Sequence, residues 1–359
     1  MIYWYKLSFH TPVRIGERGI GVSSVSYAIH STTLHSAIIN ALIYLGKIDP
    51  IKNKSEAIEI ARSFKTSSPS PIIGDGANLF WIRGLDILIK SSLKDVGSIE
   101  KYYEITKALR RVRLAQDKFI EEDLTCCKPS ILRENDREVI EIKCGNNEYR
   151  VIPAYLVNHF VEVIVEKELV YNDKIMIAEQ KIRAKNIMDR ITQAAHPYHL
   201  ALIKYHTPLL LGIEITDKSQ ITYTDIESAL RLLGDIGIGG KRTYGFGGFD
   251  ISKTEVTKNE IETSHYAIQG LFSPAMPVVR QVYEKSIYSV KTHGSKSGFT
   301  GITRKPILVL EEGSIIECKN NCRGLVVTDD ESFSKIIRSF DPIKLGLRIN
   351  SIEALPDER

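Results

Sequence analysis

Between Leu233 and Asp250 the chain reads LGDIGIGGKRTYGFGGFD: seven glycines in eighteen residues, against 24 in all 359. Lys241 and Arg242 sit among them, with Tyr244 and Phe246 beside them. Phosphate gripping by a nucleotide loop is the first chemistry to test. The P-loop needs Gly, four residues, then Gly-Lys-Ser/Thr. Counting back from Gly240-Lys241, the first glycine position is Asp235, and Lys241 is followed by Arg242. A dinucleotide GxGxxG begins at Gly237 and Gly239 but meets Arg242 at its third position. Both nucleotide loops run from strand into helix N-terminus, whereas this stretch follows a helix and so lies at the wrong end of the dipole. A second chemistry fits better. Glycines let backbone lie flush against an extended strand, cations meet phosphates, and aromatic faces take unstacked bases, which is the mixture that holds single-stranded RNA. The candidate contacts are Gly237, Gly239, Gly240, Lys241, Arg242, Tyr244, Gly245 and Gly247. The competing reading is a turn whose glycines let a helix pack closely on a sheet.

A second group lies in RAKNIMDR, where Arg183, Asn186 and Arg190 are candidate RNA contacts. Asp189 has no second carboxylate with which to hold a metal, so a salt bridge to Arg183 or Arg190 is expected, fixing an arginine fork for RNA. His30 and Ser31 sit in a Ser/Thr-rich loop with Ser23, Ser24, Ser26 and Thr32 and are candidate phosphate contacts, although turns and caps also use such residues. His30 or His35 as general base toward a 2′-hydroxyl is the catalytic alternative. His196, His199 and His206 are spaced three and seven apart, but Pro197 and strand alternation scatter them, so no zinc site is expected.

Composition bounds the rest. The net charge of +4, from 48 basic and 44 acidic residues, is too small to require a polyanion, but its placement is uneven. Residues 101–118 hold six basic and two acidic side chains, 181–190 four and one, and 284–305 five and one. Local patches on a near-neutral chain suit one anionic ligand held in a defined place. Five cysteines without a CxxC argue against both a disulfide scaffold and a zinc knuckle. The N-terminus lacks a signal peptide's basic and apolar regions and no apolar run approaches twenty residues, so a soluble, cytoplasmic protein without membrane partner, metal or cofactor is expected.

The elements that must position these groups follow from periodicity. Strand alternation covers YKLSFH (5–10). Leu34, Ile38, Leu42 and Leu45 make a helical stripe closed by Gly46. A second helix is predicted over 55–64, a loop over 65–71, a basic-faced helix over 99–114, β structure over 136–177, and two strands over 197–216. TDIESALRLLG (224–234) reads as a helix with a Thr224/Glu227 capping box and Gly234 at its end. A strand, YGFGGFDIS, follows the glycines. The order is βαββαβ with an insertion, a ferredoxin-like unit over about 1–255. Residues 256–359 begin a second β-rich unit with HYAIQGLF.

GDIGIGGKRTYGFGGF, set between the second helix and fourth strand of such a unit, resembles the glycine-rich loop of the RAMP superfamily of CRISPR-associated proteins. RAKNIMDRITQAAHPYHLALI (183–203) resembles an RNxxDR segment of the fourth subunit of type III Csm effector complexes. AIHSTTLHSAIINAL (28–42) and RKPILVLEEGSII (304–316) are similar to further stretches of that family. The resemblance implies an α+β protein of two ferredoxin-like (RRM-like) domains, 1–255 and 256–359. It also implies a β-hairpin thumb inserted within about 136–200, with the strands around Arg183–His199 as the candidate for it. The implied role is that of a non-catalytic subunit holding the 5′ handle of the crRNA at one end of a ribonucleoprotein. The large polymerase-like subunit and a backbone RAMP subunit are its implied partners, with the thumb against the guide–target RNA duplex. Because some RAMP relatives cut RNA without metal, a metal-independent endoribonuclease acting on precursor RNA is the alternative.

Overall fold

The computed structural model describes residues 1–16, 25–74, 76–95, 97–134, 137–157, 159–170, 174–189, 191–216, 220–256, 261–276, 282, 286–294, 305–318, 322–328 and 337–349. Ser23, Ser24 and Arg190, named above, lie outside them.

The first part of the chain forms β1 (Ile2–Phe9), α1 (Ser31–Tyr44), α2 (Lys54–Arg62), β2 (Phe64–Thr66), β3 (Ser70–Ile73) and β4 (Ala77–Trp81). Short α3 (Leu85–Leu88), then α4 (Ile99–Arg111), β5 (Val112–Gln116) and short α5 (Asp117–Ile120) come next. Six strands follow: β6 (Lys128–Glu134), β7 (Arg137–Cys144), β8 (Asn147–Val157), β9 (His159–Glu166), β10 (Ile175–Met188) and β11 (Ala195–Tyr205). The unit closes with β12 (Leu209–Ile215), α6 (Tyr223–Ile236) and β13 (Phe249–Thr254).

β1 pairs antiparallel with β12 on one side and β13 on the other, and β2 pairs with β12. The spatial order β13-β1-β12-β2, read with α1 after β1 and α6 before β13, is the ferredoxin-like βαββαβ arrangement. The sequence periodicity explains the two helices. Leu34, Ile38 and Leu42 of α1 and Ile226, Leu230 and Leu233 of α6 are buried in one core cluster with Tyr5, Leu7, Leu211 and Ile213 of the sheet. Leu45 is the C-cap of α1, with Gly46 beyond it at φ +66°, as its C′ position requires.

Three expectations need correction. The capping box of α6 is Thr222 with Asp225, not Thr224 with Glu227: Asp225 N donates to Thr222 Oγ1 and Thr222 N to Asp225 Oδ2. Gly234 lies inside that helix, where a side chain would strike the Phe249 carbonyl; Gly237 ends it. The predicted helix over 99–114 stops at Arg111, because Val112–Gln116 is drawn into the sheet between β4 and β9.

The insertion is larger than a hairpin. Residues 70–205 continue the sheet through β3, β4, β5, β9, β8, β10 and β11 in spatial order, giving thirteen strands with β2, β6 and β7. Its far edge is the long β10–β11 hairpin, paired from Ala178↔Tyr205 to Met188↔Ala195. Cys127 and Cys144, flanking the β6–β7 pair, form a disulfide, as do Cys318 and Cys322, two pairings that the cysteine count did not predict; Cys126 is free.

Beyond residue 256 come β14 (His265–Ile268), β15 (Val290–His293), β16 (Ile307–Leu310), β17 (Ile315–Glu317), β18 (Leu325–Thr328), β19 (Ile337–Phe340) and β20 (Lys344–Gly346). They form three small antiparallel sheets, β17-β14-β20, β15-β16 and β18-β19. Ala267, Ile315, Ile343, Leu345 and Leu347 share a core cluster with Trp4, Phe80 and Leu210, so this part packs directly on the first. No helix among the described residues is long and apolar enough to cross a membrane.

Candidate nucleic-acid interface

Residues 10–14 leave β1 and run between the glycine-rich stretch and β11. Val13 exchanges two backbone hydrogen bonds of 2.8 Å with Ile203. On the other side Gly247 N donates to Pro12 O (2.9 Å), Gly240 N to Arg14 O (2.7 Å), and His10 N to Gly248 O (3.2 Å). The strand that the glycines let approach so closely is therefore the protein's own. A side chain at Gly237 would meet the Phe246 carbonyl, at Gly239 the Arg14 carbonyl, and at Gly247 the Ile238 carbonyl. All three glycines also have φ between +78° and +90°. Gly240 and Gly245 differ. A side chain at Gly240 would make only ordinary contacts with Arg14, and at Gly245 it would meet nothing within 4 Å.

Between these glycines the chain turns outward. Lys241, Arg242, Tyr244 and Gly245 are exposed. Lys241 takes φ +62°, a left-handed conformation that costs a non-glycine residue roughly 1 kcal/mol. Phe246 turns inward, 4% exposed, against Leu200 and Leu202 of β11 with Tyr198 beside them. It is thus a packing residue and offers no face to a base. Tyr244, 52% exposed, keeps that capacity.

The β10–β11 hairpin completes the site. Arg183 lies opposite Leu200 and Lys185 opposite Tyr198, so both cations share the hairpin face on which Phe246 packs. The Arg183 guanidinium carbon lies 5.5 Å from the Phe246 ring centroid. Lys185 Nζ and Lys241 Nζ lie 5.1 and 5.7 Å from the Tyr244 centroid, so hairpin and loop meet around one exposed ring. Burial pushes the Arg14 guanidinium below its ordinary value. Among the described residues none of Arg14, Arg183, Lys185, Lys241 and Arg242 has a carboxylate within ion-pair distance, whereas Lys181, next along the hairpin, is held by Glu179 at 2.9 Å.

Other predicted site residues lie elsewhere. Asn186 is exposed on the opposite hairpin face, beyond Ala184. Asp189 makes no salt bridge to Arg183. Its Oδ1 accepts Ile191 N (2.7 Å) and Thr192 N (3.1 Å), closing the hairpin turn, and these bonds hold its carboxyl below the usual range. His30 and Ser31 are buried at the start of α1. His30 Nδ1 lies 2.6 Å from Glu312 Oε1, and Ser31 N donates to Ser68 Oγ, which donates to the same carboxylate oxygen. His35 is buried, stacked on Phe64, with Nε2 on the Ala61 and Phe64 carbonyls. His196 and His199 are scattered on β11, and His206 pairs with Glu179 at 3.0 Å. Among the described residues no group of three His, Cys, Asp or Glu side chains could hold a metal. The sequence reading missed Arg14, Lys185 and Tyr198. Lys185 and Tyr198 could have been found by pairing RAKN with HPYHL as a hairpin. Arg14 carried no local signal.

The sequence profile described as the RAMP superfamily matches residues 6–250. A stretch of 140 residues is 29% identical to the CRISPR system Cms protein Csm4 of Thermococcus onnurineus (strain NA1), covering 39% of this chain. The match spans only 44% of that relative's length. The fold is similar to a chain in the crystal structure of the Csm3-Csm4 subcomplex of the type III-A CRISPR-Cas interference complex. That likeness has a TM-score of 0.58 at 15% identity, over 95% of this chain and 98% of the other. A chain in the Csm1-Csm4 cassette bound to cA4 aligns with a TM-score of 0.52 at 14% identity, over 98% and 100%.

Proposed function

The chain belongs to the RAMP superfamily, and from that premise we propose that it is the Csm4-like subunit of a type III CRISPR ribonucleoprotein, holding the 5′ handle of the crRNA. One observation carries the reading: Lys185 and Lys241, without carboxylate partners among the described residues, meet around exposed Tyr244, with Arg183 over the neighbouring Phe246 ring and Arg242 exposed on the same loop. A dense set of unpaired cations beside an aromatic face suits a single strand whose phosphates follow the cations and whose base stacks on the ring. Gly240 and Gly245 leave backbone open beside them.

In this reading the β10–β11 hairpin is the thumb, its apolar tip of Ile187, Met188 and Ile191 reaching toward the guide–target duplex. The partners are the large polymerase-like subunit and the neighbouring backbone RAMP subunit. Support comes from the similar structures, in which Csm4 is paired with Csm1 and with Csm3. The chain divides into ferredoxin-like domains 1–255 and 256–359, and the protein works in the cytoplasm as a holder rather than an enzyme. His30 and His35 support that last choice: both are buried and bonded within the protein, so neither reaches a 2′-hydroxyl in solvent.

The test is purification of tagged protein from its host, followed by incubation of the pure chain with handle-bearing RNA in EDTA. A defined small RNA and companion subunits in the first step, with binding and no cleavage in the second, support the holder. A cut product would establish the endoribonuclease instead.

A further inference from the structure

We infer that the Arg14 guanidinium is a phosphate-binding group beside the glycine-rich stretch, taking one backbone phosphate of a nucleic-acid strand as it passes Gly240. The inference rests on the RNA reading above for the identity of the strand and on local geometry for the anion.

Arg14 is fixed by its backbone rather than by its side chain. Its carbonyl accepts Gly240 N, and it forms a parallel bridge with Gly239, so its Cα is anchored to the glycine-rich stretch. The guanidinium then lies close to two glycines. A side chain at Gly16 would come 3.6 Å from one terminal nitrogen, and one at Gly240 would come 3.8 Å from the same nitrogen. Among the described residues its Nε is buried without a hydrogen-bond acceptor, and no carboxylate lies within ion-pair distance. Tyr198 stands close enough to act on it electrostatically.

A half-buried guanidinium with an idle donor is unfavourable for the free protein, because burial removes water that nothing replaces. Arginine's planar fork matches an oxyanion with two parallel hydrogen bonds, so phosphate is the ligand class that offsets this cost. The surrounding cations select against any alternative that lacks negative charge. Arg14 is therefore placed to act differently from Lys241 and Arg242, which sit in solvent and cost the free protein little.

That difference gives the test two signs. Arg14→Met should weaken handle-RNA binding about tenfold, as expected for losing a charged hydrogen bond. It should also reduce the slope of log K against log salt by about 0.7. The thermal midpoint of the free protein should hold or rise, and Arg14→Lys should restore part of the affinity. In thermal melts, inorganic phosphate at matched ionic strength should raise the midpoint of the wild type over chloride, and not that of Arg14→Met. Unchanged affinity and slope, or a lower midpoint that accompanies the affinity loss, would make Arg14 a packing residue and overturn the inference. If wild type binds no handle RNA but keeps an Arg14-dependent phosphate shift, the RNA reading fails and the anion site stands. Absence of both overturns both.

Discussion

His30 and Glu312, 282 residues apart, meet in the interior with Nδ1 2.6 Å from Oε1. Burial alone would push the Glu312 carboxyl up, but His30, backed by Lys291 at 3.8 Å, holds it well below the usual range. Ser68 passes the same carboxylate on to the N–H of Ser31 at the positive end of α1. The pair therefore ties the first helix to the β16–β17 turn. His30→Ala strips the main partner from a buried anion and should cost about 3 kcal/mol in urea denaturation at neutral pH. The double variant His30→Leu with Glu312→Leu should cost less than that single change. RNA affinity of folded His30→Ala should equal that of wild type.

His35 gives the protein an acid limit. Burial holds its imidazole down at about 4, despite the carbonyls of Phe64 and Ala61, while the unfolded chain takes up its proton near the ordinary value of about 6.5. Lowering the pH thus favours the unfolded state. The stabilisation is complete above about 6.5 and is lost progressively down to about 4, by roughly 3 kcal/mol over the window. His293, held down at about 3 by burial and then by neighbouring His30, Lys291 and Arg338, acts in the same direction. His35→Gln removes one titration, so its stability should vary less between pH 6.5 and 4 than that of wild type.

The glycines separate packing from binding. Gly247→Ala and Gly239→Ala drive a side chain into the Ile238 and Arg14 carbonyls and should lower stability by several kcal/mol or prevent folding. Gly245→Ala has open space and only its φ of +77° to pay, about 1 kcal/mol. Handle-RNA affinity of Gly245→Val, measured on protein shown to be folded, tests the loop as a contact. Equal affinity would confine its role to the turn.

The exposed cations should behave uniformly. Lys241→Ala with Arg242→Ala removes two candidate phosphate contacts and should flatten log K against log salt by about one to one and a half units, with little change in melting. Binding titrations at four salt concentrations decide it, and an unchanged slope would mean that this pair faces water.

Much of this arrangement could be read from the residues because the decisive signals were local. The α1 stripe with Gly46, the extended segments 195–205 and 209–215, and the glycine-rich stretch after α6 are patterns within one element. β2 escaped because three residues, Phe64–Thr66, are too short for alternation, and the polar run after them looks like a loop. The basic helix beyond Arg111 was overextended because helix propensity cannot see a sheet waiting for Val112. The glycines were noticed correctly and explained incompletely, since a close approach can be seen in composition while its partner, residues 10–14, is fixed only by tertiary structure.

The passage of residues 10–14 between β11 and the glycine-rich stretch has a consequence for biogenesis. Arg14 leaves the ribosome early, Lys185 after the long excursion, and Lys241 later still, so the three cannot be brought together on a partly made chain. A nascent polypeptide halted before Gly247 would lack the donation from Gly247 N to Pro12 O that helps anchor residues 10–14 against the glycine-rich stretch. Under the RNA-holding function proposed above, capture at this site would then await complete translation of the first unit.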